Sequence, residues 1–319
     1  MQDGGSEIML IEVGPRDGLQ NAPEAVPTAT KLALIDRLIA AGVRRFEVTS
    51  FVHPKKVPQM ADAEVLVAQL PDRPDVSWIG LVLNDRGLER ALATRAGGRG
   101  IDEAGLVIVA SDSFSERNQG MGMAESVRAA CRIIARARAE GLKTTAMISA
   151  AFGCPFEGRV PPRRVLALAE ELAAAGPDEL ALADTIGVAV PAEVEELFAA
   201  ALERVPAIPW RAHFHDTRNT GTANVWAAVR AGVRRVDASI GGLGGCPFAP
   251  AATGNVATED VAYLLARSGL EAGLDISALI ETTRWLEAEL GRPLPAALAR
   301  AGLPAGWPAE TVTDGQGAA

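Results

Sequence analysis

The chain has 319 residues, 48% of them hydrophobic by type, and a formal net charge of −9. That length admits either two average domains or one large α/β barrel. The acidic balance excludes nonspecific nucleic-acid binding, which needs clustered Lys and Arg, and the absence of an apolar run of roughly 18 residues excludes a membrane-spanning helix.

In chain order, short apolar and β-branched runs at Ile8–Val13, Arg45–Phe51, Val76–Leu83, Ala104–Ala110, Thr144–Ala151, Glu179–Ala183, Arg211–His215 and Arg235–Ile240 are predicted strands. Between them, Ala-rich amphipathic stretches near Thr28–Ala41, Ala61–Gln69, Asp85–Ala96, Ala124–Glu140, Pro161–Ala175, Pro191–Val205, Thr222–Ala231 and Thr258–Arg267 are predicted helices. Several stop at glycine, as at Gly42, Gly141, Gly176 and Gly232. Eight such units predict a (β/α)8 TIM barrel in a single domain, with an open doubly wound sheet as the alternative. An additional C-terminal helix is expected around Ile276–Leu290, then a frayed Pro-, Gly- and Ala-rich end, with a flexible tail from about residue 303 to 319.

Polar residues gather after the strands, in Gly14–Asn21, Thr49–Gln59, Ser111–Asn118, Phe152–Arg159, Asp184–Gly187, Asp216–Gly221 and Gly241–Asn255. In a barrel these loops share one face, where catalytic groups converge. His213 and His215 lie two apart in a strand and point the same way, so they either share a metal or form a hydrogen-bonded core pair. Asp17, next to Arg16, is an ordinary ion pair or else a carboxylate ligand beside a fixed cation. With an amide oxygen from Asn255 the ligand set is mixed N and O, which suits Mg²⁺ or Mn²⁺ with positions open for substrate.

Three cysteines, Cys131, Cys154 and Cys246, are too few and scattered for a disulfide framework. Cys131 lies in a helical run and Cys154 at a strand end with its role open, while Cys246 follows a glycine cluster that reads as a turn or as a mobile active-site loop carrying a thiol. Met1–Glu7 lacks a secretory pattern, so reduced thiols and a cytoplasmic protein are expected. Local positive charge at His53 to Lys56 and at Arg159 to Arg164 is either solvated surface or a phosphate-binding feature. Glu47 and Asp184 either orient ligands or serve barrel packing.

Together these motifs resemble those of the 3-hydroxy-3-methylglutaryl-CoA lyases, metal-dependent enzymes built on TIM barrels. The resemblance runs from Val13–Asn21 through Thr49–Val52, Val57–Met60, Gly153–Gly158, Ala183–Gly187 and His213–Thr217 to the Gly241–Cys246 loop and Gly254–Asp260. It implies Asp17, His213, His215 and Asn255 as metal ligands, and Arg16, His213, Cys246, Glu47 and Asp184 as catalytic residues. Arg16, Gln20, Lys55 and Lys56 are the expected substrate contacts, the two lysines lying where CoA is expected. The implied reaction is a reverse Claisen cleavage of an acyl-CoA giving acetyl-CoA and acetoacetate, in a protein that forms a homo-oligomer, expected to be a dimer.

Two positions depart from that pattern. Arg218-Asn219-Thr220-Gly221-Thr222 stands where the family carries an aromatic residue and a short Gly-Gln stretch, and His53 stands where a small residue is expected. Citramalyl-CoA or another 3-hydroxy-3-methyl-acyl-CoA is therefore an alternative substrate, and a Claisen-type synthase is a further alternative that the Gly241–Cys246 loop disfavours.

Overall fold

The computed structural model describes residues 6–245 and 254–306. Eight strands, β1 (Met9–Glu12), β2 (Arg45–Ser50), β3 (Ser77–Leu81), β4 (Glu103–Val109), β5 (Lys143–Ser149), β6 (Glu179–Asp184), β7 (Trp210–Phe214) and β8 (Arg235–Ala238), form a closed barrel. Each pairs in parallel with the next, and β8 closes the ring on β1 with Ile11 opposite Asp237. The doubly wound alternative is thereby excluded.

The helices follow the alternation as α1 (Thr28–Ala40), α2 (Ala63–Ala68), α3 (Asp85–Ala93), α4 (Asp112–Gln119), α5 (Met123–Ala139), α6 (Pro162–Ala174), α7 (Pro191–Arg204), α8 (Gly221–Ala231) and α9 (Thr258–Arg267). Two more, α10 (Ile276–Leu290) and α11 (Ala297–Ala301), complete the chain described. Among the described residues no helix is long and apolar enough to cross a membrane.

Three features differ from the sequence reading. Ser111–Asn118, expected as loop, is helical as α4: Ser111 Oγ caps it by accepting from Phe114 N–H at 3.3 Å. Its sequence is mostly polar and buries only Phe114 and Ser115, so it carries no apolar period to read. Gly14–Gly18, also expected as loop, is one π-helical turn, with Gly18 N–H bonded to Val13 C=O five residues back. The end expected to fray is packed as far as α11: Leu294 and Leu298 are buried, and Asp260 accepts from Ala297 and Leu298 N–H, while of the expected flexible tail residues 307–319 lie outside the described residues.

The outer face of the strands packs against the helices through Phe46, Val48, Trp78, Ile108, Leu180, Leu182 and Phe214. The lumen is less ordinary. Ile11, Val13 and Ile79 form one small apolar cluster, and Met147, Ala181 and Ala183 another. The remaining space holds charge. Arg45 on β2 reaches across to Glu103 on β4 at 2.6 Å and to Glu179 on β6 at 2.8 Å, neither strand being its ladder neighbour. Arg211 and Arg235 also approach Glu179, at 3.3 and 2.7 Å. Burial would raise the Glu179 carboxyl, but Arg211, Arg45 and Arg235 bring it down to about 2.

Buried ions are tolerable only while each has its partners. Arg45→Met leaves Glu103 and Glu179 short of a cation, and urea unfolding is expected to show a loss of about 3–5 kcal/mol.

Candidate metal and active site

The π-helical turn after β1 sets Arg16 and Asp17 side by side at the barrel mouth. Arg16 is buried and gives one nitrogen to Asp17 Oδ1 and the other to Glu47 Oε2 on β2, both at 2.6 Å. Burial opposes the charge on Arg16, but Glu47 and Asp17 more than compensate, so the guanidinium is held firmly cationic. Burial likewise opposes charge on Asp17, yet Arg16, then His213 and His215, then a hydrogen bond from Asn255, hold its carboxyl well below the ordinary range.

His213 is the second-last residue of β7 and His215 follows its end. One ligand atom from each of Asp17, His213 and His215 lies within 4.8 Å of the others. His213 Nδ1 is 3.0 Å from Asp237 Oδ2, which leaves Nε2 as the nitrogen for the cluster. His215 Nε2 is 3.8 Å from Asp17 Oδ2. Asn255 joins through the backbone: its segment bridges to His215, and Val256 N–H bonds Phe214 C=O, so the chain after the eighth strand folds back along the end of β7.

The Asn255 amide spends its donors on Asp17 Oδ2 at 2.9 Å and Leu243 O at 3.0 Å. Its Oδ1 is buried without a hydrogen-bond partner among the described residues. A buried amide oxygen left over, beside a carboxylate and two imidazoles, is the donor set that a divalent cation completes, so these residues fit such an ion.

The two rings differ in electrostatics. Burial lowers His215, His213 beside it lowers it further, and against the opposing pull of Asp17 it settles at about 4, so the ring is neutral near pH 7. Burial also disfavours charge on His213, but the hydrogen bond and charge of Asp237, with Asp17, raise it overall. One lone pair on Nε2 therefore serves either a cation or a proton at a given moment.

The other expected site residues are distributed around this cluster. Glu47 touches Arg16, as described. Gln20 is half-buried, with Oε1 lacking a partner among the described residues. Lys55 and Lys56 are exposed beside His53, whose Nδ1 accepts from Lys55 N–H at 3.2 Å. A cavity of about 600 Å³ borders that loop, lined by Phe51, His53, Asn84, Arg86 and Arg90, and no residue of the cluster lines it. Asp184 is wholly buried and folds its own turn by accepting from Val188 and Ala189 N–H at 3.0 and 2.8 Å; burial raises its carboxyl. In the loop that departs from the expected pattern, Arg218 donates to the carbonyls of Ile186 and Gly187, and Asn219 takes a left-handed φ of 58°. Cys246 lies outside the described residues. Cys154 Sγ accepts from Phe156 and Glu157 N–H at 3.3 Å and sits 2.9 Å from Ser111 Oγ, which gives it a turn to organise.

Besides Glu103 and Glu179 of the lumen, three buried acids were not anticipated. Asp237 meets His213, and Arg211 at 3.4 Å. Glu12, at the end of β1, accepts from Gly14 and Ile240 N–H and from Thr258 Oγ1, joining the Arg16–Asp17 turn to the loop after β8. Glu259 accepts from Thr283 Oγ1 and Gly241 N–H. Gly241 has φ +66°, and a Cβ there would strike Leu294, so the buried C-terminal segment packs directly on the base of that loop. Burial pushes Glu12 up to about 7 and Glu259 up to about 8, against the lowering effect of their hydrogen bonds.

A family model described as HMGL-like matches residues 7–286. The (R)-citramalyl-CoA lyase of Chloroflexus aurantiacus is 44% identical over 305 residues, covering 92% of this chain and 95% of that one. The hydroxymethylglutaryl-CoA lyase of Bacillus subtilis is 40% identical over 289 residues, covering 91% and 95%. Among solved structures, an HMG-CoA lyase from Acinetobacter baumannii in complex with coenzyme A and 3-methylmalate superposes with a TM-score of 0.90 at 37% identity, covering 96% of this chain and 99% of that one.

Acids whose folded pKa is raised contribute stability that is complete below their unfolded pKa, near 4.5, and is lost as pH rises through the folded value. Thermal melts are therefore expected to show Tm declining from about pH 5 to pH 8 through Glu12 and Glu259. Glu259→Gln, which stays neutral, is expected to flatten the upper part of that decline.

Proposed function

The chain belongs to the HMGL-like family, and we propose that it is a carbon–carbon lyase that cleaves 3-hydroxy-3-methylglutaryl-CoA to acetyl-CoA and acetoacetate. The observation that carries the reading is the four-residue donor cluster of Asp17, His213, His215 and Asn255 beside the buried cation of Arg16. A divalent cation, Mg²⁺ or Mn²⁺ by the hardness of the oxygen donors, would supply Lewis-acid charge to the substrate's hydroxyl and free carboxylate.

The residues divide the remaining work. His213 Nε2 would take the hydroxyl proton only when its one lone pair is not given to the cation, and Asp237 would stabilise the charge the ring then gains. The bond between the carbinol carbon and the thioester's α-carbon then breaks, its electron pair passing to the acetyl fragment as an enolate. Arg16, locked by Glu47, supplies fixed positive charge for the enolate oxygen and requires no reorganisation to do so. Cys246 returns a proton to the enolate carbon. Gln20 offers a buried amide oxygen for the acyl end, and Lys55 and Lys56 offer exposed cations for the CoA phosphates. Unpaired thiols at Cys131 and Cys154 suit the reducing cytoplasm.

A second reading, citramalyl-CoA as substrate, draws on the 44% identity to a lyase of that name and on Arg218, a cation fixed on the neighbouring loop beside the metal cluster's strand. Citramalyl-CoA places its free carboxylate on the carbinol carbon and would release pyruvate.

Incubation with 3-hydroxy-3-methylglutaryl-CoA and Mg²⁺ is expected to yield acetoacetate, to stop in EDTA and to resume on metal addition. Arg16→Met is expected to lower kcat by about 10²–10³. Pyruvate from citramalyl-CoA with no acetoacetate from the first substrate selects the second reading; turnover that persists in EDTA contradicts the metal assignment.

A further inference from the structure

We propose that Asp237 is a positioning residue, anchored by Arg211, that fixes the His213 ring so that Nε2 faces the metal cluster. The inference rests on the metal-site reading above and extends it to residues outside the cluster.

β7 and β8 are parallel neighbours with Arg211 opposite Arg235 and Ala212 opposite Val236. Continuing that register sets His213 beside Asp237, and the period of two turns Arg211, His213, Arg235 and Asp237 all into the lumen. Glu179, Arg211, Asp237 and His213 follow one another in a line, the first three at ion-pair distance and the last joined by a hydrogen bond. Glu179 Oε1 lies 3.3 Å from Arg211 Nε, the same nitrogen lies 3.4 Å from Asp237 Oδ1, and Asp237 Oδ2 lies 3.0 Å from His213 Nδ1. Asp237 is 1% exposed, so water does not compete for either oxygen.

An imidazole free to rotate about its side-chain bonds can present either nitrogen to a cation, and ordering it costs binding free energy. A carboxylate accepting from Nδ1–H removes that freedom and leaves the Nε2 lone pair for the ion. The carboxylate itself must be held, and the Arg211 charge lies below it at ion-pair distance, without a hydrogen bond, while Glu179, clamped by Arg45 and Arg235, faces Arg211 on the other side. Part of the lumen charge thus ends at a ligand.

A merely structural role, in which Asp237 only neutralises Arg211, makes a different forecast. Asparagine keeps an oxygen acceptor for Nδ1–H but lacks the charge, whereas alanine lacks both. Mn²⁺ affinity of the full-length protein, measured by the loss of the free-ion EPR signal, is expected to fall about 10- to 100-fold in Asp237→Ala and to be largely retained in Asp237→Asn. Arg211→Met is expected to weaken Mn²⁺ binding as well, and to add little in the Asp237→Ala background, because both act through the same oxygen contact. Wild-type affinity in Asp237→Ala, or equal losses in the alanine and asparagine variants, overturns the proposal. Should Asp237→Ala not fold, Arg211→Met decides alone: unchanged Mn²⁺ affinity overturns the anchor, and a weakened one with intact thermal stability supports it. A wild-type protein that binds no Mn²⁺ sinks the metal-site reading itself, a result distinct from variants that match a metal-binding wild type.

Discussion

Closure of the eighth strand onto the first is the constraint on which the site depends. It brings Asn255 within 2.9 Å of Asp17, a residue 238 positions earlier, and sets both against the end of β7. Glu12 reinforces the same seam, its Oε1 accepting from the backbone N–H of Gly14 and of Ile240, one on each flanking loop, and its Oε2 from Thr258 Oγ1. An open sheet of identical strands would leave the carboxylate and the amide on opposite edges. The Asp17 carboxylate is itself divided, one oxygen toward Arg16 and the other toward Asn255 and His215, so the cation of the side chain and the donor cluster are registered through a single group.

Below the mouth, the lumen is filled partly by ions rather than by the branched apolar layers common in such barrels. Arg45, Glu103, Glu179 and Arg235 pair with one another at the end remote from the loops, and Arg211 faces Glu179 at ion-pair distance. Replacing them with apolar residues of similar volume would cost little by general precedent. What an apolar filling lacks is a means of holding Asp237, and through it the orientation of a histidine. Stability and site geometry are therefore joined in this barrel along the inward faces of β7 and β8.

Much of this was legible in the sequence because the relevant signals are local. Short apolar, β-branched runs and glycine stops located all eight strands and most of the helices between them. The histidine pair and the Arg16–Asp17 step stood out for the same reason. α4 escaped notice because a short polar helix announces itself only by its Ser111 cap. The π-helical turn escaped because its hydrogen bonds, unlike apolar periodicity, leave no compositional trace. Asp237 was within reach: the alternation that turned His213 inward also turns Asp237 inward two residues past Arg235, but identifying the pair required knowing that β7 and β8 are neighbours in register. Glu12 and Glu259 were beyond it, since their partners are loop backbone amides and distant threonine hydroxyls that only the closed fold brings to them.

The central claim is that Asp17, His213, His215 and Asn255 hold one divalent cation beside Arg16. Anomalous diffraction from crystals grown with Mn²⁺ tests it most directly. A single anomalous peak bonded to the Asp17 carboxylate, both imidazoles and the Asn255 amide oxygen is the predicted result. A peak bound elsewhere, or none in that cluster at saturating Mn²⁺, would contradict it.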